Sequence, residues 1–168
     1  KNLSLEQLIR LQELVEKNIE FNATNVQHMK TAGPAILTEV DDALKSYFGE
    51  YEVFSSEEML YVPIEDFNIF FKGFVDAVIK VGDTYHLFDW KTCSWGWDSR
   101  KKAEKIVTYQ LTLYKHFFCQ KHKIDPSKVE THFALLKRTA KKDRVEIFRV
   151  TSGPRKTENA LKLLHKAL

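Results

Sequence analysis

Four ionisable residues, in chain order Glu39, Asp76, Asp89 and Lys91, hold the chemistry that stands out in the sequence. Three carboxylates converging on one spot repel each other at neutral pH, so such a cluster generally needs a hard divalent cation. Mg²⁺ suits it, with oxygen ligands, few of them from protein and the remainder from water and phosphate. An adjacent lysine can orient or deprotonate an activated water, or neutralise charge building on a phosphoryl oxygen. Asp89 and Lys91 lie two residues apart, hence on one face of an extended strand, where desolvating both is costly unless something compensates them. A cation together with an anionic substrate would do so. A solvent-facing ion pair at a fraying strand end is the other reading of the same spacing.

A hairpin must position these residues. Two β-branched and aromatic runs, Ile69 to Val81 and Thr84 to Trp90, flank Gly82-Asp83, a dipeptide suited to a tight turn. In the second strand Tyr85, Leu87, Asp89 and Lys91 share one face, and His86, Phe88 and Trp90 the other. Both faces are largely apolar, the mark of a strand covered on each side. In the first strand Asp76 shares a face with Phe74 and Val78, a poor setting for casual surface charge.

The other elements follow from periodicity and turn residues. Ser4-Leu5-Glu6-Gln7 has the form of a capping box, with Leu8, Leu11, Val15 and Ile19 following at helical spacing. Polar residues from Asn22 to Lys30 form a connector, and Gly33-Pro34 starts a second helix with Pro in its first turn. The expected apolar stripe of that helix is Leu37, Val40, Leu44 and Tyr47, with Glu39 on another line beside Ala35 and Ala43. Tyr51 to Ile64 reads as a strand with a polar middle at Ser55-Ser56-Glu57-Glu58. Beyond the hairpin the pattern predicts a long helix from Ser99 to Lys121 and strands over Val129 to Leu136 and Arg144 to Val150. A last helix, launched by Ser152-Gly153-Pro154, carries Leu161, Leu164 and Leu168 on one stripe. The order helix, helix, three strands, helix, two strands, helix predicts an α/β fold, a mixed central β-sheet flanked by helices. A single domain over 1–168 is expected, with a helical extension at 1–30, a core at 33–150 and a C-terminal helix at 151–168.

The 168 residues suffice for one core, and 43% hydrophobic with 29% charged content is that of an ordinary soluble globular chain. No run is long and apolar enough to cross a bilayer and no signal-peptide pattern opens the chain, so the cytoplasm is the expected compartment. Two cysteines, Cys93 and Cys119, suggest neither a disulfide framework nor a cysteine-ligated metal centre. There is no Walker A pattern and no Gly-x-Gly-x-x-Gly, so ATP and dinucleotides are not indicated. His28, His86, His116, His122, His132 and His165 show no metal-ligand spacing, and His86, facing away from Asp89, reads as a packing residue. Cys93 lies close to Lys91 without a His–Asp partnership, which argues against a thiol nucleophile.

Gly73-Phe74-Val75-Asp76 on one strand, Phe88-Asp89-Trp90-Lys91-Thr92 on the next and Gln110-Leu111-Thr112-Leu113-Tyr114 on the following helix resemble the PD-(D/E)XK nuclease superfamily, nearest its RecB-like and phage-exonuclease-like branch. The resemblance implies a restriction-endonuclease-like core and a metal-dependent DNase, exonuclease action slightly favoured over endonuclease action, using Mg²⁺ or Mn²⁺ and leaving 5′-phosphates. Asp76 and Asp89 would be metal ligands with the Trp90 backbone carbonyl as a third, and Lys91 the catalytic lysine. Gln110 and Tyr114, one helical turn apart, would support the site or touch substrate phosphate. Related proteins often place His or Glu four residues after a helix glycine. Here Gly33 leads to Leu37, a departure that makes Glu39 the expected helix ligand and Glu57 its competitor.

Trp95 and Trp97, directly after the catalytic strand, could stack on unpaired bases or simply cover the core. Arg100, Lys101, Lys102 and Lys105 open the Gln/Tyr helix on the same side and could track phosphate, although charge runs are usually solvated surface. A nucleic-acid-binding module that kept the fold without cleaving is the competing class, and Leu37 speaks for it.

Overall fold

Strand β3 (Thr84–Cys93) is the centre of the molecule, because both of its faces are covered. Leu87 on one face and Phe88 on the other are each fully buried, together worth several kcal/mol of apolar transfer at about 1.5–3 kcal/mol per side chain. The computed structural model describes residues 26, 27, 30–64 and 67–168. The capping box and apolar repeat between Ser4 and Ile19 lie outside the described residues.

The sheet has the order β1-β2-β3-β4-β5, with β1 (Glu52–Pro63), β2 (Phe70–Val81), β4 (Val129–Lys137) and β5 (Val145–Val150). Its β1/β2, β2/β3 and β4/β5 pairs are antiparallel, and β3/β4 is parallel. The β2–β3 turn is Gly82-Asp83 as the sequence implies, with Gly82 at φ +57°, where a side chain would be strained. The parallel pair requires a crossover, which begins with α2 (Ser99–Lys102) and continues through α3 (Lys105–His122). Helix α1, over 30–48, covers one face of the sheet, and α3 with α4 (Pro154–Ala167) covers the other. On the α1 side Leu44, with Val40 and Phe48, packs on Ile79, Phe88 and Ala134. On the α3 side Phe117 and Phe118 pack on Leu60, Val75, Val78 and Leu87, and Leu111 on Phe133 and Val150.

Three expectations change. The helix is already running at residue 30, so Pro34 sits inside it, where its missing N–H leaves a carbonyl one turn back without the usual helical partner. The buried stripe is Ile36, Val40, Leu44 and Phe48, the last three packed on the sheet, while Leu37 is 69% and Tyr47 47% exposed, so the stripe steps by four residues throughout. The single helix from Ser99 is two. Asp98 caps a one-turn α2 by accepting from Lys101 N (2.7 Å), and Glu104 then turns extended (φ −59°, ψ 125°) to begin α3.

Glu58 ties β1 to the last turn of α3, its Oε1 lying 2.7 Å from both Lys121 Nζ and His122 Nε2. Burial pushes the Glu58 carboxyl up, but the hydrogen bonds of Lys121 and His122 outweigh it and hold it below the ordinary range. A lowered folded-state pKa means its stabilisation is complete above the unfolded pKa, near pH 4.5, and is lost as pH falls through the folded one. Thermal melts across pH 3–7 should therefore show Glu58→Gln less stable than wild type at neutral pH, with the two curves converging in acid. A gap independent of pH would contradict the assignment.

Candidate active site

Asp89 lies on the α3 side of β3, only 4% exposed. Its Oδ1 accepts a hydrogen bond from Gln110 Nε2 (2.8 Å), and its Oδ2 lies 2.6 Å from Lys91 Nζ. The ring closes through Lys91 Nζ, which donates to Gln110 Oε1 (3.3 Å). Gln110 Nε2 also lies 3.1 Å from the Tyr114 hydroxyl. The amide of Gln110 thus gives to the carboxylate and takes from the ammonium, so its orientation is fixed at both ends. Burial pushes the Asp89 carboxyl above its ordinary range, with the nearby Asp76 charge adding to the effect; Lys91 and Gln110 offset this only in part.

Asp76 reaches the same place from β2. Cross-strand pairs of β2 and β3 run from Val81↔Thr84 to Ala77↔Phe88, and one further step of that register puts Asp76 opposite Asp89. There the ladder gives way, and the Trp90 N–H donates to Asp76 Oδ2 (2.8 Å) instead of to β2 backbone. A residue's N–H and C=O lie along the same edge of an extended strand, so the Trp90 carbonyl also opens towards this notch. Strict alternation fails at Asp76: Val75 and Val78, three apart, both enter the α3-side core, so Asp76 does not share a regular face with Phe74 and Val78. Opposite the irregularity, between the pairs Ser56↔Ala77 and Glu58↔Val75, sits Glu57 with φ +51°. A left-handed glutamate within a strand is held there by its surroundings, and such strain concentrates at functional positions.

The donor set fits a divalent cation on one observation of this structure. Asp89 Oδ2 is buried without a well-directed hydrogen bond; the Lys91 ammonium beside it matches its charge but leaves lone pairs unused. Glu39 does not join this group. Its carboxylate accepts from Arg144 N (2.8 Å) and pairs with Arg144 Nη1 (2.5 Å), which holds it below the ordinary carboxylate range. Arg144 immediately precedes β5, three strands from β2, roughly 14 Å at strand spacing. Of the two acidic residues proposed for the remaining ligand, Glu57 is the one that register brings opposite Asp76, and it is exposed.

Gly73 is what lets Tyr114 approach. A Cβ at residue 73 would stand 2.9 Å from Tyr114 Cε1 and 3.1 Å from Phe71 Cε1, so the tyrosine ring lies against bare β2 backbone. Trp95 is 77% exposed after the β3 strand, whereas Trp97 packs on Phe133 (5.4 Å between centroids) and Phe148 (6.1 Å), which makes it a cover for the core. Lys101 pairs with Glu104 (2.6 Å) and Lys102 with Glu146 (2.5 Å), while Arg100 and Lys105 stand exposed at the ends of the same two helices. Sequence spacing also gave no sign that His86 and His132 meet across the β3/β4 pair, their Nδ1 and Nε2 atoms 3.0 Å apart.

The model of the PD-(D/E)XK nuclease superfamily matches residues 3–167, nearly the whole chain, and the protein belongs to that superfamily. Among solved structures, a candidate exonuclease from Eubacterium rectale superposes with a TM-score of 0.55 at 14% identity, over 84% of this chain and 50% of that one, a likeness of fold. The chain thus spans half the length of that structure. A second structure, SSO0001, matches with a TM-score of 0.41 at 15% identity, over 89% of this chain and 69% of that one. No curated protein matches. The mixed five-stranded sheet flanked by helices is the fold expected of the superfamily, and no helix among the described residues is long and apolar enough to cross a membrane.

Two substitutions test the packing around the acids. Gly73→Ala should cost about 1–3 kcal/mol, because Tyr114 or the β2 backbone must shift, read as a fall in melting temperature. Asp89→Asn keeps the Gln110 hydrogen bond and removes a buried charge, so in chelator at pH 7 the variant should melt no lower than wild type. A large destabilisation would show that the Asp89–Lys91 pair holds the fold together rather than serving chemistry.

Proposed function

We propose that the chain is a divalent-metal-dependent deoxyribonuclease of the RecB-like, phage-exonuclease-like branch, hydrolysing phosphodiester bonds to leave 5′-phosphates, with exonuclease action favoured. The observation that carries this reading is the closed Asp89–Lys91–Gln110–Tyr114 network beside Asp76 at the point where the β2/β3 ladder opens. Asp76, Asp89, the Trp90 carbonyl and Glu57 would hold Mg²⁺ or Mn²⁺. Such a cation supplies Lewis-acid polarisation of a phosphoryl oxygen and a water made more acidic.

The chain's own groups define the rest. Lys91, a third exposed while its carboxylate partner is buried, presents its ammonium between Asp89 and solvent, where it can orient a nucleophile or meet charge developing on a phosphoryl oxygen. Gln110 holds that ammonium and the Asp89 carboxylate in fixed relation, and Tyr114 buttresses Gln110 from one turn further on. Trp95, Arg100 and Lys105 are exposed residues following β3, suited to unpaired bases and phosphates, with Trp97, Lys101 and Lys102 tied more closely to the protein. A role in phage or bacterial recombination, repair or genome processing fits a nuclease of this kind.

Linear and circular, single- and double-stranded DNA incubated with Mg²⁺, Mn²⁺ or chelator tests the reading. Metal-dependent cleavage should fall at least about 10²-fold in Lys91→Ala and in Asp89→Asn, with linear substrates preferred. Glu57→Gln should lose most activity and Glu39→Gln little; the reverse would return the ligand role to helix α1. Binding without cleavage under every metal would instead support a module that kept the fold and lost the reaction, the reading that Leu37 in place of a helix ligand favours.

A further inference from the structure

On the α1 side of the sheet, away from Asp89, three potential ligands converge. His86 comes from β3, and Glu130 and His132, two apart on β4, come from the parallel partner, through the register pairs His86↔Glu130 and Phe88↔His132. His86 Nδ1 lies 3.0 Å from His132 Nε2, and Glu130 Oε2 lies 3.6 Å from the first and 3.8 Å from the second. Donors around a tetrahedral zinc, with bonds of about 2.0–2.1 Å, stand roughly 3.4 Å apart. The three atoms therefore already form one face of such a tetrahedron to within a few tenths of an ångström.

The surroundings suit a metal better than a proton. Phe48, Phe88 and Tyr47 enclose the two imidazoles, with ring centroids 4.7–5.9 Å away. Both rings are buried, and a neutral imidazole offers one nitrogen lone pair to a metal. The direct imidazole–imidazole contact engages one nitrogen of each ring, the same two that face Glu130. Arg149 Nη2 donates to the other oxygen of Glu130 (2.9 Å), fixing the carboxylate as outer partners of metal ligands do. The Arg149 charge opposes a cation, but its side chain is half exposed and paired with Glu130. Glu130, a quarter exposed, marks the way in from solvent.

We propose that His86 Nδ1, His132 Nε2 and Glu130 Oε2 form a structural site for zinc, separate from the acidic site and binding a metal of different chemistry. Two nitrogens and one oxygen match zinc, whereas the oxygen-only set around Asp89 matches Mg²⁺ or Mn²⁺. A metal here would cross-link the parallel β3/β4 pair beneath the end of α1, at the opposite end of β3 from Lys91.

The test uses full-length protein stripped with chelator, carrying Asp89→Asn to remove the acidic site, and titrated with Co²⁺ and then Zn²⁺. One equivalent of Co²⁺ should develop the visible absorption of a tetrahedral site and be displaced by Zn²⁺. Zinc at a hundredfold over its dissociation constant should raise the melting temperature by about 5–10 °C. Both signals should vanish in His86→Gln and in Glu130→Gln. The second variant alters a partly exposed side chain, so its metal-free melting temperature should match that of its parent and keeps the test valid if the first fails to fold. Absence of both signals, or signals that survive Glu130→Gln, would overturn the site and leave a histidine pair that only packs.

Discussion

A carboxylate removed from water at the end of a strand buried on both faces is the constraint on which this site depends. Asp89 is 4% exposed, and each group around it offsets part of the cost of its charge. Lys91 supplies the counter-charge at 2.6 Å and Gln110 one directed hydrogen bond, yet the oxygen nearest the ammonium remains short of good acceptor geometry. Without cation or substrate the arrangement is incompletely satisfied. That is a poor design for stability and a good one for binding a cation that brings a polyanion.

Backbone irregularity creates the opening at which that charge is presented. Had β2 and β3 stayed paired to their ends, the Trp90 N–H would have been consumed by the ladder and Asp76 would have pointed into one face or the other. The alternation slip between Val75 and Val78, matched across the sheet by left-handed Glu57, releases both. Bulges next to active sites commonly re-aim a side chain in this way. The absence of a side chain at Gly73 serves the same corner from beneath, by letting Tyr114 lie on the backbone and steady Gln110.

Much of this arrangement could be read from residue order, because it rests on short-range rules. The period of two assigned the faces of β3 correctly, Gly82-Asp83 marked the turn, and the four-residue step from Gln110 to Tyr114 placed both on one helix face. The failures come from effects that cross between elements. Helix α1 kept Val40 and Leu44 of its expected stripe but buried Ile36 and Phe48 at the ends in place of Leu37 and Tyr47, Phe48 packing on the sheet. Glu39 was drawn to Arg144, a residue 105 positions away that no periodicity links to it. Trp97 found Phe133 and Phe148 only because β4 and β5 return beneath the loop after β3. The slip at Asp76 was hidden for the same reason, since a local pattern presumes an unbroken ladder.

The central claim is spatial: two aspartates and the Trp90 carbonyl grip one ion beside Lys91. Its most direct test is a crystal soaked in Mn²⁺ and measured for anomalous scattering. The account predicts a peak between Asp76, Asp89 and the Trp90 carbonyl, within ligand distance of all three and absent after Asp89→Asn. A peak at Glu39 instead, or none at the notch under saturating Mn²⁺, would contradict it.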